Sequence, residues 1–332
     1  MPFDDFLGNR SILETVRNQL ATGRLRHSML FAGVAGIGKW TLAQFIAKAG
    51  NCDRLRNDFC NRCPSCQRIS ENVHPDVKNV APDGQFIKID QMRSLSREVF
   101  FKPFEGKRRV FIIDEAEKFR VESANSILKT LEEPPDSSIL ILITSRPNDL
   151  LPTIRSRCQL YRFAPLPSED IERLLQGRTA YSLEERRLLA RIAGGSLGKA
   201  LTLDPVEYRM QRNEMLALLE ACSRNFLYAN AAKAASGWLD KRKQTEFDSK
   251  TGILFTLLRD LFHLKAGADP GSITHADIVT KLNPLSSTFS FSQLTGATRS
   301  LDHLEAGTRR NLNRGLAADQ FILNLGGVVP IR

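Results

Sequence analysis

The sequence predicts an α/β fold, in which a P-loop domain built on a parallel sheet is followed by helical segments. A glycine-rich loop at 33–39 connects an apolar strand at 27–32 to a segment with helical spacing. Two more apolar runs, 109–113 and 139–143, end in polar residues and alternate with helical patterns. This alternation, with polar residues at the strand ends, is typical of a doubly wound α/β domain.

The elements follow this order along the chain. An amphipathic helix is expected over 3–26, before the P-loop strand. Further elements expected before residue 164 are a short strand at 77–80, a helix near 90–102, a helix over 121–133 and a β-like run at 159–163. From residue 165 the apolar positions recur at helical spacing, and Ser182 and Glu185 form a capping box. We therefore predict an α/β domain over 1–164, a small helical domain over 165–204 and a helical domain over 205–332.

Composition and charge bound the functional class. The chain has 332 residues and a formal net charge of +10, which favours an acidic partner such as DNA. A soluble basic surface, or a basic subunit among acidic ones, explains this charge equally well. No apolar run is long enough to span a membrane, and residues 1–5 do not read as a signal peptide. We expect a cytoplasmic protein with no membrane partner.

The glycine-rich loop has the residues of a phosphate cradle. Its glycines let backbone N–H groups turn inward, at the positive end of the following helix. The residues expected to form the cradle are Gly33, Gly36, Gly38 and Lys39. The next position normally holds a Ser or Thr that binds Mg²⁺, and here it is Trp40. Thr41 follows one residue late, which rotates its side chain by about 100° on a helix. Binding of ATP and Mg²⁺ by this chain is therefore doubtful.

Two carboxylates follow the apolar run at 109–113. Asp114 and Glu115 would stand at the carboxyl edge of the sheet, about 75 residues after Lys39. In a P-loop enzyme, the Asp holds Mg²⁺ and the following Glu orients the attacking water. Taken alone, this pattern is only moderately specific.

Four of the six cysteines fall within fifteen positions. They are Cys52, Cys60, Cys63 and Cys66. Four thiolates at such short spacing suit a closed, tetrahedral site for structural Zn²⁺. A redox or fortuitous cluster is the alternative, while Cys158 and Cys222 read as ordinary packed residues.

Several motifs in combination carry a family resemblance. They include the strand before the P-loop, His74-Pro75-Asp76, Asp114-Glu115-Ala116-Glu117-Lys118, the segment from Asn125 to Pro135, and Leu151-Pro152-Thr153-Ile154-Arg155-Ser156-Arg157-Cys158-Gln159. With the inserted Cys₄ module, they resemble the clamp-loader branch of the AAA+ ATPases, which serves bacterial DNA polymerase III. The resemblance is strongest over 3–201. Beyond 207 it is limited to length, helical character and the Asn311-Leu312-Asn313 stretch.

The resemblance implies a fold and a set of roles. The domain at 1–164 would be the AAA+ domain with its zinc module at 52–66, 165–204 the lid, and 205–332 the collar that joins subunits in a ring. Arg157 would be an arginine finger that reaches ATP on the neighbouring subunit. A surface or core-bridging arginine is the alternative reading, since Arg155 is equally basic.

Two sensor positions follow from the same resemblance. Sensor 1 corresponds to Thr144 or Ser145, and the sequence does not decide between them. Sensor 2 is an arginine in the motor subunits, whereas Lys199 stands here, without the planar geometry that binds phosphate in two places.

We therefore expect a non-motor clamp-loader subunit without ATPase activity of its own. Its expected partners are ATPase subunits of the gamma/tau type, a delta-like subunit, transiently the sliding clamp, and primed DNA through the complex. An ATP-hydrolysing motor subunit is the alternative, which Lys39, Asp114 and Glu115 favour. A stand-alone helicase-like or recombination ATPase of the AAA+ class is a third reading. The Cys₄ module and the Leu-Glu-Glu-Pro-Pro segment argue against it.

Overall fold

The structure is a computed structural model that describes residues 2–177, 180–223, 226–236, 238–239, 244–308 and 314–328. The chain divides into two compact units, Met1–Gly177 with Ala193–Leu201, and Arg178–Ile192 with Thr202–Arg332. Asn311, Leu312 and Asn313 of the family resemblance lie outside the described residues. The division into three domains stays a prediction.

A five-stranded parallel sheet forms the centre of the first unit. Its strands are β1 (Ser28–Ala32), β2 (Val77–Val80), β3 (Arg109–Ile113), β4 (Ser138–Thr144) and β5 (Gln159–Arg162). They lie in the order β2-β3-β4-β1-β5, and each neighbouring pair is parallel. The central strands β1, β3 and β4 are buried along their whole length, as expected of a sheet covered on both faces. The predicted parallel α/β domain is confirmed.

Helices cover both faces of this sheet. They are α1 (Arg10–Ala21), α2 (Lys39–Asn51), α3 (Pro64–Ser70), α4 (Ile89–Glu98), α5 (Val121–Glu132) and α6 (Pro152–Arg157). The same unit also contains α7 (Ser168–Gln176) and most of α9 (Leu197–Thr202). Because successive strand residues point to opposite faces, Met29 and Phe31 pack in the layer of α1 and α2. Leu30, between them, packs in the layer of α4 and α5.

Two helices are shorter than their apolar spacing indicated. The helix expected over 3–26 begins only at Arg10, since Gly8 and Asn9 have φ of 75° and 47°, in the left-handed region. The helix expected near 90–102 ends at Glu98. Pro103 disfavours helical backbone at Lys102, so the helix does not continue to 102 as expected.

The second unit is helical, as predicted. Its helices are α8 (Leu183–Ile192), α10 (Pro205–Ala221), α11 (Tyr228–Ala235), α12 (Gln244–Lys265), α13 (Val279–Thr288), α14 (Phe291–Thr308) and α15 (Arg314–Leu325). The predicted capping box is present, with Ser182 N donating to Glu185 Oε2 at 2.8 Å and Glu185 N to Ser182 Oγ at 3.3 Å. No helix among the described residues is long and apolar enough to cross a membrane.

Asp76 organises the loop that leads into β3. Its buried carboxylate accepts hydrogen bonds from the backbone N–H groups of Phe104, Glu105 and Gly106, at 2.7, 3.0 and 2.8 Å. Burial raises the pKa of Asp76, but these donors and Arg109 outweigh it and hold the pKa below its ordinary value. The carboxylate therefore stabilises the folded state in its charged form.

We expect Asp76→Asn to lower the free energy of unfolding at pH 7 by about 3 kcal/mol, because hydrogen bonds to a charged group are lost. Because the folded pKa is depressed, this stabilisation is present above about pH 4, the range of an unfolded Asp, and is lost as the pH falls through the folded pKa. Urea unfolding at several pH values measures it. Wild type and variant should converge below pH 4, and Asp136→Asn, on a fully exposed side chain, should change little. A gap that stays constant down to pH 3 would contradict this account.

Candidate functional site

The carboxyl edge of the sheet collects most of the predicted nucleotide-site residues. β3, β4 and β1 are neighbours, so the segments that follow them lie side by side. Asp114 follows β3, Thr144 ends β4, and Lys39 comes after the loop that follows β1. In open α/β sheets, ligands bind at such an edge, where the strand order reverses.

The glycine-rich loop turns as a phosphate cradle requires. Gly36 and Gly38 have φ of 73° and 102°, which residues with a side chain rarely adopt. Lys39 Nζ donates to the carbonyl oxygens of Gly33 and Val34, at 2.6 and 2.7 Å. The lysine is buried within its own loop. Burial lowers its pKa, and the nearby carboxylates of Asp114 and Glu117 oppose that shift.

The turn that carries Lys199 lies against this loop. Gly198 N donates to Gly36 O at 2.9 Å, and a Cβ placed on Gly36 would come within 2.5 Å of Ser196 Oγ. Lys199 N in turn donates to the same Ser196 hydroxyl at 3.1 Å. Residues about 160 positions apart in the sequence thus meet at the glycine-rich loop. The sequence missed the role of Ser196 and Gly198, because nothing in their local spacing indicates a contact.

The two predicted carboxylates stand in different surroundings. Burial raises the pKa of Asp114, and the neighbouring Glu115 and Glu117 carboxylates act in the same direction. Glu115 has a left-handed φ of 48°, and its carboxylate pairs with Lys118 at 2.5 Å.

Glu117 is a site residue that the sequence reasoning did not select. Its carboxylate accepts hydrogen bonds from the backbone N–H of Ser145, at 3.2 Å, and from the Ser145 hydroxyl. Burial raises the pKa of Glu117, but the bonds from Ser145 and Thr144 outweigh it and lower the pKa. Both candidates for sensor 1 therefore contact the same carboxylate. The sequence signal that could have identified Glu117 is its position three residues after Asp114. A short 3₁₀ turn at Ala116–Lys118 brings the two carboxylates to the same part of the site.

Trp40 occupies the place of the magnesium ligand. It lies in the first turn of α2, partly buried against the hydrophobic core beneath α1 and α2. Thr41 is exposed. The position at which a P-loop enzyme carries its Mg²⁺-binding hydroxyl therefore has none in this chain.

Arg157 lies at the amino ends of the parallel strands, opposite the carboxyl edge that carries Lys39. It ends α6, immediately before β5, and its Nε donates to Glu132 Oε2 at 3.0 Å. Glu132 ends α5, which returns the chain to the start of β4. Because all strands are parallel, their amino ends lie along one edge of the sheet and their carboxyl ends along the opposite edge. The two edges are about 15 Å apart, the length of a strand, and Lys39 lies at the carboxyl edge. Arg157 is therefore remote from the phosphate loop of its own chain.

Two of the three guanidinium nitrogens of Arg157 donate hydrogen bonds within the described residues. Nη1 donates to Thr153 O at 3.2 Å, and the described residues give Nη2 no hydrogen bond. The neighbouring Arg155 instead donates to Asn148 Oδ1 at 3.3 Å and is exposed. Arg155 and Arg157, which the sequence could not distinguish, thus differ in their hydrogen-bond partners: Arg157 pairs with a carboxylate and Arg155 with an amide oxygen.

The four clustered cysteines converge at one point. Their sulfur atoms lie within 4.8 Å of one another, and the Cys52 and Cys63 sulfurs are 4.0 Å apart. Four sulfurs around Zn²⁺ with Zn–S bonds of about 2.3 Å stand about 3.8 Å apart. The donor set and its spacing therefore fit a closed zinc site.

Backbone donors surround these sulfurs and favour the thiolate at Cys60, whereas burial raises the pKa of Cys63 and of Cys66. Backbone N–H groups of Leu55, Cys63 and Cys66 donate to sulfur, at 3.3 to 3.5 Å. Burial opposes ionisation of Cys60, but the N–H groups of Arg62 and Cys63 outweigh it and lower its pKa to about 6. Lys48 on α2 is buried nearby, with its ammonium 2.9 Å from Asn61 Oδ1. Burial lowers the pKa of Lys48, and the charge of Cys66 opposes that shift.

Two family profiles match the chain. One, described as DNA polymerase III, delta subunit, matches residues 8–167, and the other, described as its C-terminal part, matches 208–326. The chain belongs to the clamp-loader family of DNA polymerase III. The two matches cover both the α/β part of the chain, at 8–167, and its helical part, at 208–326. The family assignment therefore does not rest on the widespread P-loop alone.

Several members of the clamp-loader family resemble the chain. DNA polymerase III subunit gamma/tau of Mycoplasma pneumoniae is 36% identical over 206 residues, 60% of this chain and 30% of that protein. Subunit delta′ of Bacillus subtilis is 38% identical over 161 residues, 48% of this chain and 49% of that protein. The chain thus covers half or less of these two relatives. A gamma subunit-related protein of Thermotoga maritima aligns with a TM-score of 0.46 and 18% identity, covering 95% of this chain and 98% of that one.

Proposed function

We propose that this chain is a non-motor, δ′-type subunit of the clamp loader. It helps load the sliding clamp onto primed DNA, and it supplies Arg157 to ATP held by a neighbouring gamma/tau-type subunit. The position of Arg157 carries this proposal. An arginine at the edge opposite its own phosphate loop cannot serve that loop, whereas an arginine finger acts across a subunit interface.

The state of the phosphate loop supports the same proposal. Trp40 replaces the magnesium ligand, Lys39 is bonded to its own loop, and Lys199 lacks the planar fork of an arginine. We infer that the loop is retained as a scaffold, together with Gly33, Gly36, Gly38, Asp114, Glu115 and Thr144. The small helical lid at 165–204 and the collar at 205–332 belong to the proposal, as does a structural Zn²⁺ on the four cysteines.

A motor subunit of the gamma/tau type is the second candidate. Lys39, Asp114 and Glu115 are all present, and the 36% identity to a gamma/tau subunit favours it. The two candidates differ in whether the isolated chain hydrolyses ATP.

We expect the purified chain to show no ATP turnover above background, because a P-loop without its magnesium hydroxyl lacks a main element of phosphoryl transfer. Steady-state phosphate release with Mg²⁺ and ATP measures it, and Lys39→Ala should give the same trace. Turnover at the level of a motor subunit, abolished by Lys39→Ala, would establish the motor reading. Co-purification with gamma/tau-type subunits tests the assembly itself, since a chain that never enters such a complex cannot have the proposed role.

A further inference from the structure

The Cys₄ module at 52–66 carries three exposed arginines. Arg54 and Arg56 lie between its first two cysteines, and Arg62 lies between the second and the third. Within the part of the chain that the structure describes, none of the three guanidinium groups forms a hydrogen bond or an ion pair. We call these three residues the arginine surface. The roles proposed above for the four cysteines and for Arg157 do not use it.

The backbone that carries the arginine surface is fixed by the cysteine sulfurs. Leu55 N, between the first two arginines, donates to Cys52 Sγ at 3.3 Å, and Cys63 N, next to the third, donates to Cys60 Sγ at 3.3 Å. The Cys52 and Cys63 sulfurs are 4.0 Å apart. Through these short links, the three arginine Cα atoms lie within about 20 Å of one another. A preformed surface of this kind loses little conformational entropy when it binds a partner.

The acidic residues of the module bind other groups of the module. Asp53 Oδ1 accepts a hydrogen bond from Ser65 Oγ at 3.0 Å, and Asp58 Oδ1 accepts one from Phe59 N at 2.8 Å. These carboxylates therefore hold the module's own backbone and hydroxyl groups and leave the guanidinium groups to solvent. Unpaired guanidinium groups favour an anionic partner, and their planar fork can bind a phosphate in two places.

A single nucleic-acid strand fits this surface poorly. Single-strand sites combine cations with exposed aromatic rings on which the bases stack. Phe59 is the one aromatic residue of the module and has 0% of its surface exposed. Its ring packs on Phe3 and Phe45, so it is not available to a base.

A protein partner also fits poorly. The centre of a protein interface is apolar and depleted in charged residues. The module exposes one large apolar side chain, that of Leu55, which is 40% accessible and stands between two arginines. Charge without an apolar centre is instead typical of a surface that contacts the phosphate backbone of duplex DNA.

The arginine surface is separate from the phosphate loop of the chain. The module begins where α2 ends, and α2 starts at the phosphate loop and contains 13 residues. A helix of this length spans about 20 Å. Binding at the module therefore does not compete with the glycine-rich loop.

We propose that the arginine surface binds the phosphate backbone of duplex DNA without reading its base sequence. This inference rests on the proposed function, in which the assembly acts on primed DNA, because the primed part of such DNA is a duplex. It adds a direct DNA contact made by this chain, and the formal net charge of +10 agrees with it.

Fluorescence anisotropy of the full chain with a dye-labelled duplex of about 20 base pairs, titrated at several salt concentrations, tests this. The triple variant Arg54→Ala, Arg56→Ala and Arg62→Ala should bind about tenfold more weakly or worse at about 50 mM salt. Each phosphate contact contributes about 0.9 to the slope of log K against log salt, so the slope should become shallower by about 2.7. Arg62→Gln alone should change the slope by about 0.9.

A second triple variant controls for the loss of charge. Arg10→Ala, Arg97→Ala and Lys129→Ala remove three exposed positive charges from α1, α4 and α5 of the same unit. This variant should keep the wild-type salt slope and bind within about twofold of wild type, because a distant charge is screened over about 10 Å. The triple variant of the arginine surface should keep its zinc content and its melting temperature, since its side chains are exposed.

Each other outcome overturns the inference. It fails if the wild-type chain does not bind the duplex, or if the triple variant of the arginine surface binds with the wild-type affinity and salt slope. A loss confined to single-stranded DNA, or to assembly with gamma/tau-type subunits, would assign the surface to those partners. Loss of zinc from both that triple variant and Arg62→Gln would assign the arginines to the metal centre. If the chain assembles with gamma/tau-type subunits but does not bind the duplex, the proposed function stands and only this inference fails.

Discussion

Replacing Arg157 by alanine should slow ATP hydrolysis on the neighbouring subunit by about 10³-fold or more, because a finger supplied in trans contributes about 10³–10⁵ in rate. The chain itself should stay folded, since the Arg157–Glu132 pair is a partly exposed ion pair worth at most about 1 kcal/mol. The measurement is single-turnover hydrolysis in an assembly reconstituted with this chain. Only the ATP sites that face this chain should hydrolyse slowly. The fast phase of the single-turnover time course should therefore lose amplitude.

Two further variants separate the finger from a general loss of charge. Arg155→Ala removes an equal charge two residues away and should change the rate by less than about twofold, because Arg155 is bonded to Asn148. Arg157→Lys keeps the charge but loses the planar fork, and should recover little of the rate. An assembled complex whose single-turnover rate is the same with Arg157→Ala would refute the finger.

Cys63→Ser should remove zinc and destabilise the P-loop unit by more than about 3 kcal/mol, since binding of a structural metal is coupled to folding. The reason for a large effect is structural. Phe59 of the module packs on Phe3 and Phe45, with ring centroids 5.3 and 4.6 Å away, so loosening the module opens the core. Metal analysis of freshly purified protein should find one zinc per chain, and thermal melting with and without a chelator measures the loss.

Cys158→Ser is the matched control, because Cys158 is buried but lies outside the cluster. It should retain a full equivalent of zinc. Freshly purified wild type without stoichiometric zinc, or with a melting temperature that Cys63→Ser leaves unchanged, would remove the zinc site from the account.

Local patterns predicted the sheet well and the helix ends poorly. The apolar runs at 109–113 and 139–143 became central strands because full burial needs continuous apolar residues, and this is visible along the chain. Helix ends were less visible. The helix before the P-loop starts at Arg10 because of backbone conformations at Gly8 and Asn9, which apolar spacing does not encode.

The sequence by itself determined the P-loop fold, the Cys₄ cluster and the replacement of the magnesium ligand by Trp40, since each depends on residue type at short spacing. Only the tertiary structure decided which distant residues meet. It placed Ser196 and Gly198 on the phosphate loop, Glu117 against Ser145, and Arg157 at the edge remote from Lys39. These contacts depend on the order of the strands in the sheet and on where each helix places the start of the next strand. Both arise from packing the whole chain, which no local pattern contains.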